Sequence, residues 1–417
     1  MHLSSPPSLD KTASEPPEEV IETLQQLNQV LNVQRGLDSD NTVLGGYVWD
    51  IDDKAEREWC VQWLVRTVKW ATEKWMIGEL DEWERVAEMA AKLTCELCGK
   101  GASGAVQRRV PLWRHDGEPL LLGGIALHEL SFVHADVGCK TWGAAILLAR
   151  RIARQSIDIT IFRRCIELGS GTGLLGLAAG CALRGVEGAS VTMTDYLPVL
   201  IQAAREGAQS NGLLDNGAVV LKKMDWFEMA QQIATLSAKN GQSTRGAISL
   251  PAANYMDAVD RDAAATGSKW EGLVELTLGA EESKGAFDLV IAADVLYEVE
   301  HCYVIALLAN HLLAATKPSA DGNGAPSITP RFILTTPLRS THWREVTAFE
   351  AEMAAIPTMR LVSKDDTTRA DDLNAWVSGI CDERSATVLA NDRNLARSID
   401  EDVIDSLIYR TYIYERC

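Results

Sequence analysis

Between Cys165 and Gly176 the chain reads CIELGSGTGLLG, and few stretches leave a fold less freedom. Cys165, Ile166 and Leu168 make a short buried strand. Gly169, Gly171 and Gly173 make a turn, and an apolar helix follows from Leu174 to about Leu183. Such a turn needs a residue that tolerates left-handed backbone and close approach of a ligand, which is glycine. Delivered onto a helix N-terminus, it also presents unpaired backbone N–H groups. Gly171, Gly173 and Gly176 fit the dinucleotide spacing G-x-G-x-x-G. Glu167, just ahead of the first glycine, argues against that ligand, because a carboxylate meets a diphosphate badly. It suits a ligand with a cationic end.

After this stretch the pattern alternates. Strands are expected at Val191–Thr194, Val219–Lys223, Phe287–Ala292, Arg331–Thr335, Met359–Ser363 and Tyr409–Tyr414. Helices are expected at Pro198–Ser210, Glu298–Thr316 and Trp343–Ala355, and ahead of the glycine strand from about Thr141 to Ile152. Alternation of this kind predicts an α/β fold with a mostly parallel, doubly wound sheet. Ligands of such sheets bind at the carboxyl ends of the strands.

The residues before this fold divide differently. Residues 1–16 are Ser/Pro-rich and read as a disordered tail. Residues 17–104 read as a helical region and linker. A first helix starts near Pro17 and is ended by Gly36, a second is capped by Asp53 and a third by Asp81. Its tryptophans, Trp63, Trp70 and Trp83 among them, are expected in a core, with one or two at a seam. A hairpin is expected between Val106 and His134, with LLLGGIALHEL its best segment. The main domain is placed at 105–417, with insertions at 231–285 and 365–405 that lack strong periodicity.

Three successive strands end in a carboxylate: Asp195, Asp225 and Asp294. In a wound sheet these tips share one edge with the glycine turn. Asp195 can accept both hydroxyls of a ribose, a role common to several nucleoside-binding enzymes. Asp225 with Trp226 offers a polar edge and a flat ring for a base. Asp294 and Tyr297 follow the fourth strand, where a carboxylate can orient an incoming amine and a phenol can wall its channel. Each aspartate could instead cap a helix, Asp294 the one that starts near Glu298.

Composition removes some partners. The net charge of −18 opposes nucleic-acid binding. Nine cysteines scattered over 417 residues fit a reduced, intracellular chain, and Cys95 and Cys98 read as ends of a helical face, with no metal expected. No signal peptide or membrane-length apolar run is found, so a cytoplasmic protein is expected.

KTWGAAILLA (140–149), IELGSGTGLLGLAAG (166–180), VTMTDY (191–196), MDW (224–226) and FDLVIAADVLY (287–297) together resemble the family-16 seven-β-strand methyltransferases. Many of these are protein-lysine methyltransferases using S-adenosylmethionine, a ligand with an amino group, a sulfonium and no phosphate. The resemblance implies a seven-stranded Rossmann-like sheet of order 3-2-1-4-5-7-6 with the last strand antiparallel. It puts Trp142, Gly169, Ser170, Gly171, Asp195, Trp226 and Ala293 at the cofactor, beside the Glu167 and Asp225 read above. It puts Asp294 and Tyr297 on the Asp-x-x-Tyr motif near the acceptor lysine. The helical extension and overall length resemble the fungal branch that methylates translation elongation factor 2, so a protein substrate of that kind and a monomeric enzyme are expected. Other readings stay open: another protein or a small amine as acceptor, a silent cofactor-binding scaffold, or an NAD-dependent dehydrogenase. The last lacks an evident hydride-relay His or Lys.

Overall fold

A computed structural model describes residues 16, 18–34, 54–76, 81–97, 105–130, 138–239, 277–316, 328–339, 342–372 and 407–417. The tail expected before Pro16, the Gly36 stop, the Asp53 cap and Cys98 lie outside these residues.

Three helices open the chain: α1 (Glu18–Gln34), α2 (Lys54–Met76) and α3 (Asp81–Leu97). Their apolar spacing puts Val20, Leu24 and Leu27 against Leu64, Trp63, Trp83 and Leu93 in a core of their own. Trp70 meets Trp83 edge-on with ring centroids 4.7 Å apart. Core packing therefore explains Trp63, Trp70 and Trp83, while Trp75 is 43% exposed.

The hairpin forms from β1 (Val106–Val110) and β2 (Ile125–Glu129), antiparallel with Val110 opposite Ile125. Only IALHE of the expected segment is strand. Leu121 to Gly124 is the turn before it, where Gly124 N–H donates to Leu121 O at 3.0 Å.

The main sheet is built from β3 (Arg164–Leu168), β4 (Ser190–Asp195), β5 (Val219–Lys223), β6 (Leu289–Ala293), β7 (Arg331–Pro337), β8 (Met359–Thr368) and β9 (Ile408–Arg416). Its order is β5-β4-β3-β6-β7-β9-β8. Counted from the glycine strand, that is 3-2-1-4-5-7-6. Strands β3 to β7 pair in parallel, and β9 runs antiparallel to both its neighbours. This is the order, with its antiparallel last strand, that the resemblance implies.

Helices cover both faces, so the central strands are apolar on both sides. On one face lie α4 (Gly143–Ala153), α5 (Leu174–Ala182) and α6 (Pro198–Ser210), through Ile146, Leu177 and Ile201. On the other lie α7 (Trp226–Lys239), the one-turn α8 (Ala280–Ser283), α9 (Val299–Leu312) and α10 (Trp343–Ala354), through Met229, Ala280, Ile305 and Phe349. Alternation along β3 divides its side chains: Cys165 goes to the first face, Ile166 and Leu168 to the second. Glu167 therefore shares the face of Cys165.

Both supposed insertions begin as regular structure. Helix α7 runs nine residues into 231–285, because Asp225 caps it and Met229, Ala230 and Ile233 supply a buried stripe. Strand β8 runs to Thr368, past the 365 boundary, because β9 offers a ladder as far as Thr368 opposite Ile408. Residues 240–276 and 373–406 lie outside the described residues. Helix α9 stops at Leu312, short of Thr316, where Leu313 bridges to Phe287. That bridge also keeps Phe287 out of β6.

Candidate functional site

The sheet register lines up four strand tips. Leu168 lies opposite Thr194 on one side and Ala292 on the other, and Ala293 lies opposite Thr335. The next residues along, Asp195, Gly169 and Ala293, therefore fall in one row, each about 4.8 Å from its neighbour strand, and Asp294 follows one residue beyond. Two residues beyond β7, Arg339 reaches back to Asp294.

At the centre is the glycine turn. Gly169, Gly171 and Gly173 have φ of 68°, 50° and 88°, the left-handed region that a side chain would strain. The turn is pinned from the end of β4: Ser170 N–H donates to Thr194 O at 2.8 Å and Gly171 N–H to Asp195 Oδ2 at 2.9 Å. Leu197 N–H donates to Asp195 Oδ1 at 3.2 Å. Asp195 is buried. Burial pushes its carboxyl above the ordinary range, opposed by the N–H bonds from Gly171, Leu197 and Tyr196.

Trp226 lies over the turn. A Cβ on Gly169 would stand 2.9 Å from Trp226 Cζ2 and 3.3 Å from Val295 Cγ1, so ring and glycine require each other. Asp225 is spent on the helix: its Oδ1 accepts from Phe227 N–H at 2.8 Å and Glu228 N–H at 3.1 Å. Trp142 enters α4 as its extended N-cap, with its carbonyl accepting from Ala145 and Ile146 N–H.

Glu167 is brought to the turn but tucked beneath α5. Its Oε2 lies 2.4 Å from where a Cβ on Gly176 would be, beside Met193. Burial, helped by the charge of Asp195, pushes its carboxyl well above the usual range, against the bond from Gly176 N–H. Oε2 has no hydrogen-bond partner. The sequence alone leads one to expect an ionised Glu167; in the folded chain burial disfavours that form.

Asp294 does not cap α9, whose N-cap is Glu298. Instead it accepts from Arg339, Nη1–H to Oδ1 at 3.3 Å and Nη2–H to Oδ2 at 3.2 Å. Its φ is 57°, rare for a residue with a side chain. Tyr297 stands in the same turn, its ring 4.3 Å from that of His301. His301 in turn meets Trp226 edge-on at 5.4 Å, joining the Asp294 turn to the ring over Gly169. Burial pulls His301 down to about 4, despite Glu300 and Asp225. It is a neutral wedge at neutral pH.

A buried network fixes the hairpin to this turn. Glu129 pairs with Arg108 at 3.3 Å and accepts from Thr141 N–H at 3.1 Å, and the Thr141 and Thr172 hydroxyls are 3.0 Å apart. Burial pulls the Glu129 carboxyl up, but Arg108 and the Thr141 bonds outweigh it and hold it below the ordinary range.

Arg339, His301 and Thr141 were not singled out from sequence. His301 sits four residues after Tyr297, a helical spacing that could have paired them. Nothing local marks Arg339.

The donor set suits a nucleoside with a charged tail. Asp195 accepts backbone N–H groups from Gly171, Leu197 and Tyr196, and its carboxylate has acceptor capacity beyond these for a ribose hydroxyl. Among the described residues no group of three or more His, Cys, Asp or Glu could hold a metal, and no helix is long and apolar enough to cross a membrane.

Residues 126–238 match the family model described as lysine methyltransferase. The chain is 25% identical over 317 residues to protein-lysine N-methyltransferase rrg1 of Schizosaccharomyces pombe, covering 76% of this chain and 81% of that protein. It is 27% identical over 158 residues to protein-lysine N-methyltransferase EFM2 of Saccharomyces cerevisiae, covering 34% and 35%. It is 33% identical over 89 residues to EEF1A lysine methyltransferase 3 of Mus musculus, covering 20% and 35%.

Proposed function

From the premise that this chain is a seven-β-strand, S-adenosylmethionine-dependent protein-lysine N-methyltransferase, we propose that its acceptor is a lysine of a translation elongation factor in the cytoplasm. The observation that carries the site reading is the row of tips: Asp195 on one side of the glycine turn, Asp294 on the other.

In this reading Asp195 holds the ribose, Gly169, Ser170 and Gly171 line the tail, and Trp142, Trp226 and Ala293 wall the base and sulfur. When bound, S-adenosylmethionine supplies a sulfonium methyl: the amine lone pair forms the N–C bond as the C–S pair leaves with sulfur, and the methylammonium gives its proton to solvent. The chain's own task is alignment and exclusion of water. Asp294 orients the amine through its N–H, and Tyr297, wedged by His301, closes the channel beside it.

Two features bear on which factor is modified. The N-terminal helices and length favour elongation factor 2. The likeness to an EEF1A methyltransferase favours elongation factor 1A. The test is tritiated methyl transfer into purified elongation factors 1A and 2 and into a cell extract, with the labelled residue mapped by mass spectrometry. Label on a lysine of either factor supports the proposal. Label confined to another protein overturns the acceptor, and bound cofactor with no label anywhere favours a scaffold.

A further inference from the structure

The carboxylate read as meeting the acceptor amine already carries a cation. The guanidinium of Arg339 bonds both oxygens of Asp294 at 3.2 and 3.3 Å. Its carbon stands 5.7 Å from the centre of the Trp142 ring, a cation–π contact. So Arg339 lies between a residue of the cofactor wall and the residue of the acceptor turn. Both ends of the pair are fixed. Asp294 is in left-handed backbone and donates its N–H to Thr335 O of β7 at 3.0 Å. On the other side Leu338 N–H donates to Ile408 O at 2.8 Å and His342 N–H to Arg339 O at 3.0 Å. Side-chain exposure is 9% for Asp294 and 32% for Arg339, so the carboxylate is the inner partner.

Transfer needs the neutral amine, yet lysine at neutral pH is an ammonium, its usual pKa being about 10.4. An unpaired aspartate at this tip would hold it there, since an opposite charge favours the charged form. A guanidinium on the same carboxylate changes the sign of that effect. The pair is neutral, a carboxylate can accept more than the two guanidinium bonds and so can take an amine N–H, and the arginine repels a second cation at short range.

Resting on the lysine-acceptor reading above, we propose that Arg339 is a positioning residue that aims Asp294 and cancels its charge, so that the site takes the acceptor lysine as the free amine. Among the described residues, the other titratable groups round the pair are Tyr297 and Glu298 in the turn and His301 on α9. On the elements nearby stand Tyr409 of β9, whose hydroxyl borders Gly143, His342 before α10, whose N–H bonds the Arg339 carbonyl, and Lys140 two residues ahead of Trp142. His301, held neutral by burial, does not duplicate the charge of Arg339.

The experiment measures kcat and KM for the mapped acceptor lysine at saturating methyl donor, between about pH 6.5 and 9.5. In R339Q, kcat falls about tenfold near neutrality and is regained about one pH unit higher, with acceptor KM unchanged or lower. R339K, which keeps the charge, stays close to the wild-type profile. Both variants bind S-adenosylhomocysteine as the wild type does by calorimetry. An R339Q profile with an unmoved midpoint overturns the proposal, as does R339K displaced as far as R339Q. Loss of S-adenosylhomocysteine binding in both variants also overturns it, placing the guanidinium in the cofactor pocket instead. A wild-type chain that binds S-adenosylhomocysteine and labels no lysine overturns the acceptor reading, and this proposal with it, before any variant is compared.

Discussion

Glu167→Gln is the substitution whose outcome the burial of this site fixes most directly. The carboxyl is 3% exposed, lies under α5 against Met193, and is pushed well above the ordinary range by burial and by the charge of Asp195. A group whose folded pKa is raised binds its proton more tightly in the folded state. Its contribution is therefore complete below the unfolded value, about 4.3, and is lost as pH rises towards the folded value. Within that window each pH unit removes about 1.4 kcal/mol, or about 2 °C of melting temperature for a domain this large. Glutamine copies the neutral acid and cannot ionise. It adds an N–H where Oε2 already lacks a partner, a penalty of about 1 kcal/mol that does not vary with pH. Urea unfolding of ligand-free wild type and E167Q, at half-unit steps from about pH 4 to 8, should give curves that cross. E167Q is slightly the less stable near pH 4 and gains on the wild type as pH rises. Affinity for S-adenosylmethionine should stay within about twofold, because burial already disfavours the ionised side chain. Parallel stability curves, or a tenfold loss of affinity in E167Q, would refute the assignment and restore an ionised Glu167.

Asp195→Ala should abolish heats of S-adenosylhomocysteine binding, whereas Asp294→Asn should bind it and turn over poorly; equal binding by Asp195→Ala and wild type would sink the ribose assignment. Gly143→Ala places a Cβ against the Tyr409 hydroxyl, and urea unfolding should show a loss of about 1–3 kcal/mol, part of it recovered by adding Tyr409→Phe. Asp372→Ala removes the partner of Arg151 and Arg154 beside buried Arg150, and should cost about 3–5 kcal/mol by the same measurement; a cost below 1 kcal/mol would mean that the arginines find other anions.

The wound sheet could be read from sequence because its strands and helices advertise themselves locally. CIELGSGTG joins a strand, a turn and a helix within a few residues, and Asp195, Asp225 and Asp294 punctuate later strands. Helix α7 was missed because the low-complexity sequence after it hid the 229, 230, 233 stripe. The hydroxyl link from Thr141 to Thr172 and the pairing of Arg339 with Asp294 span 31 and 45 residues. Pairings at that range follow from which strands become neighbours, and no local pattern encodes them. Glu167 is the instructive case. It was assigned by its chemistry, although Cys165 and Glu167 must share a face of a two-sided strand and the helix after the turn must cover that face.

Burial of Glu167 changes how the site's charge should be understood. As letters, Glu167, Asp195 and Asp294 look like three negative charges awaiting a cation. In the fold each meets a different environment: Glu167 is driven towards its neutral form, Asp195 is bonded by backbone N–H groups, and Asp294 is paired with Arg339. A hollow with all three ionised and unpaired would bind the donor's sulfonium strongly in the ground state. It would also hold the acceptor as an ammonium beside it, and both effects raise the barrier to transfer. What this arrangement leaves is orientation: acceptor lone pairs at fixed points on a rigid sheet edge, with little net charge behind them. Methyl transfer from a cationic donor to a neutral amine moves a positive charge without creating one. A site of low net charge and fixed geometry favours that step over one that simply attracts cations.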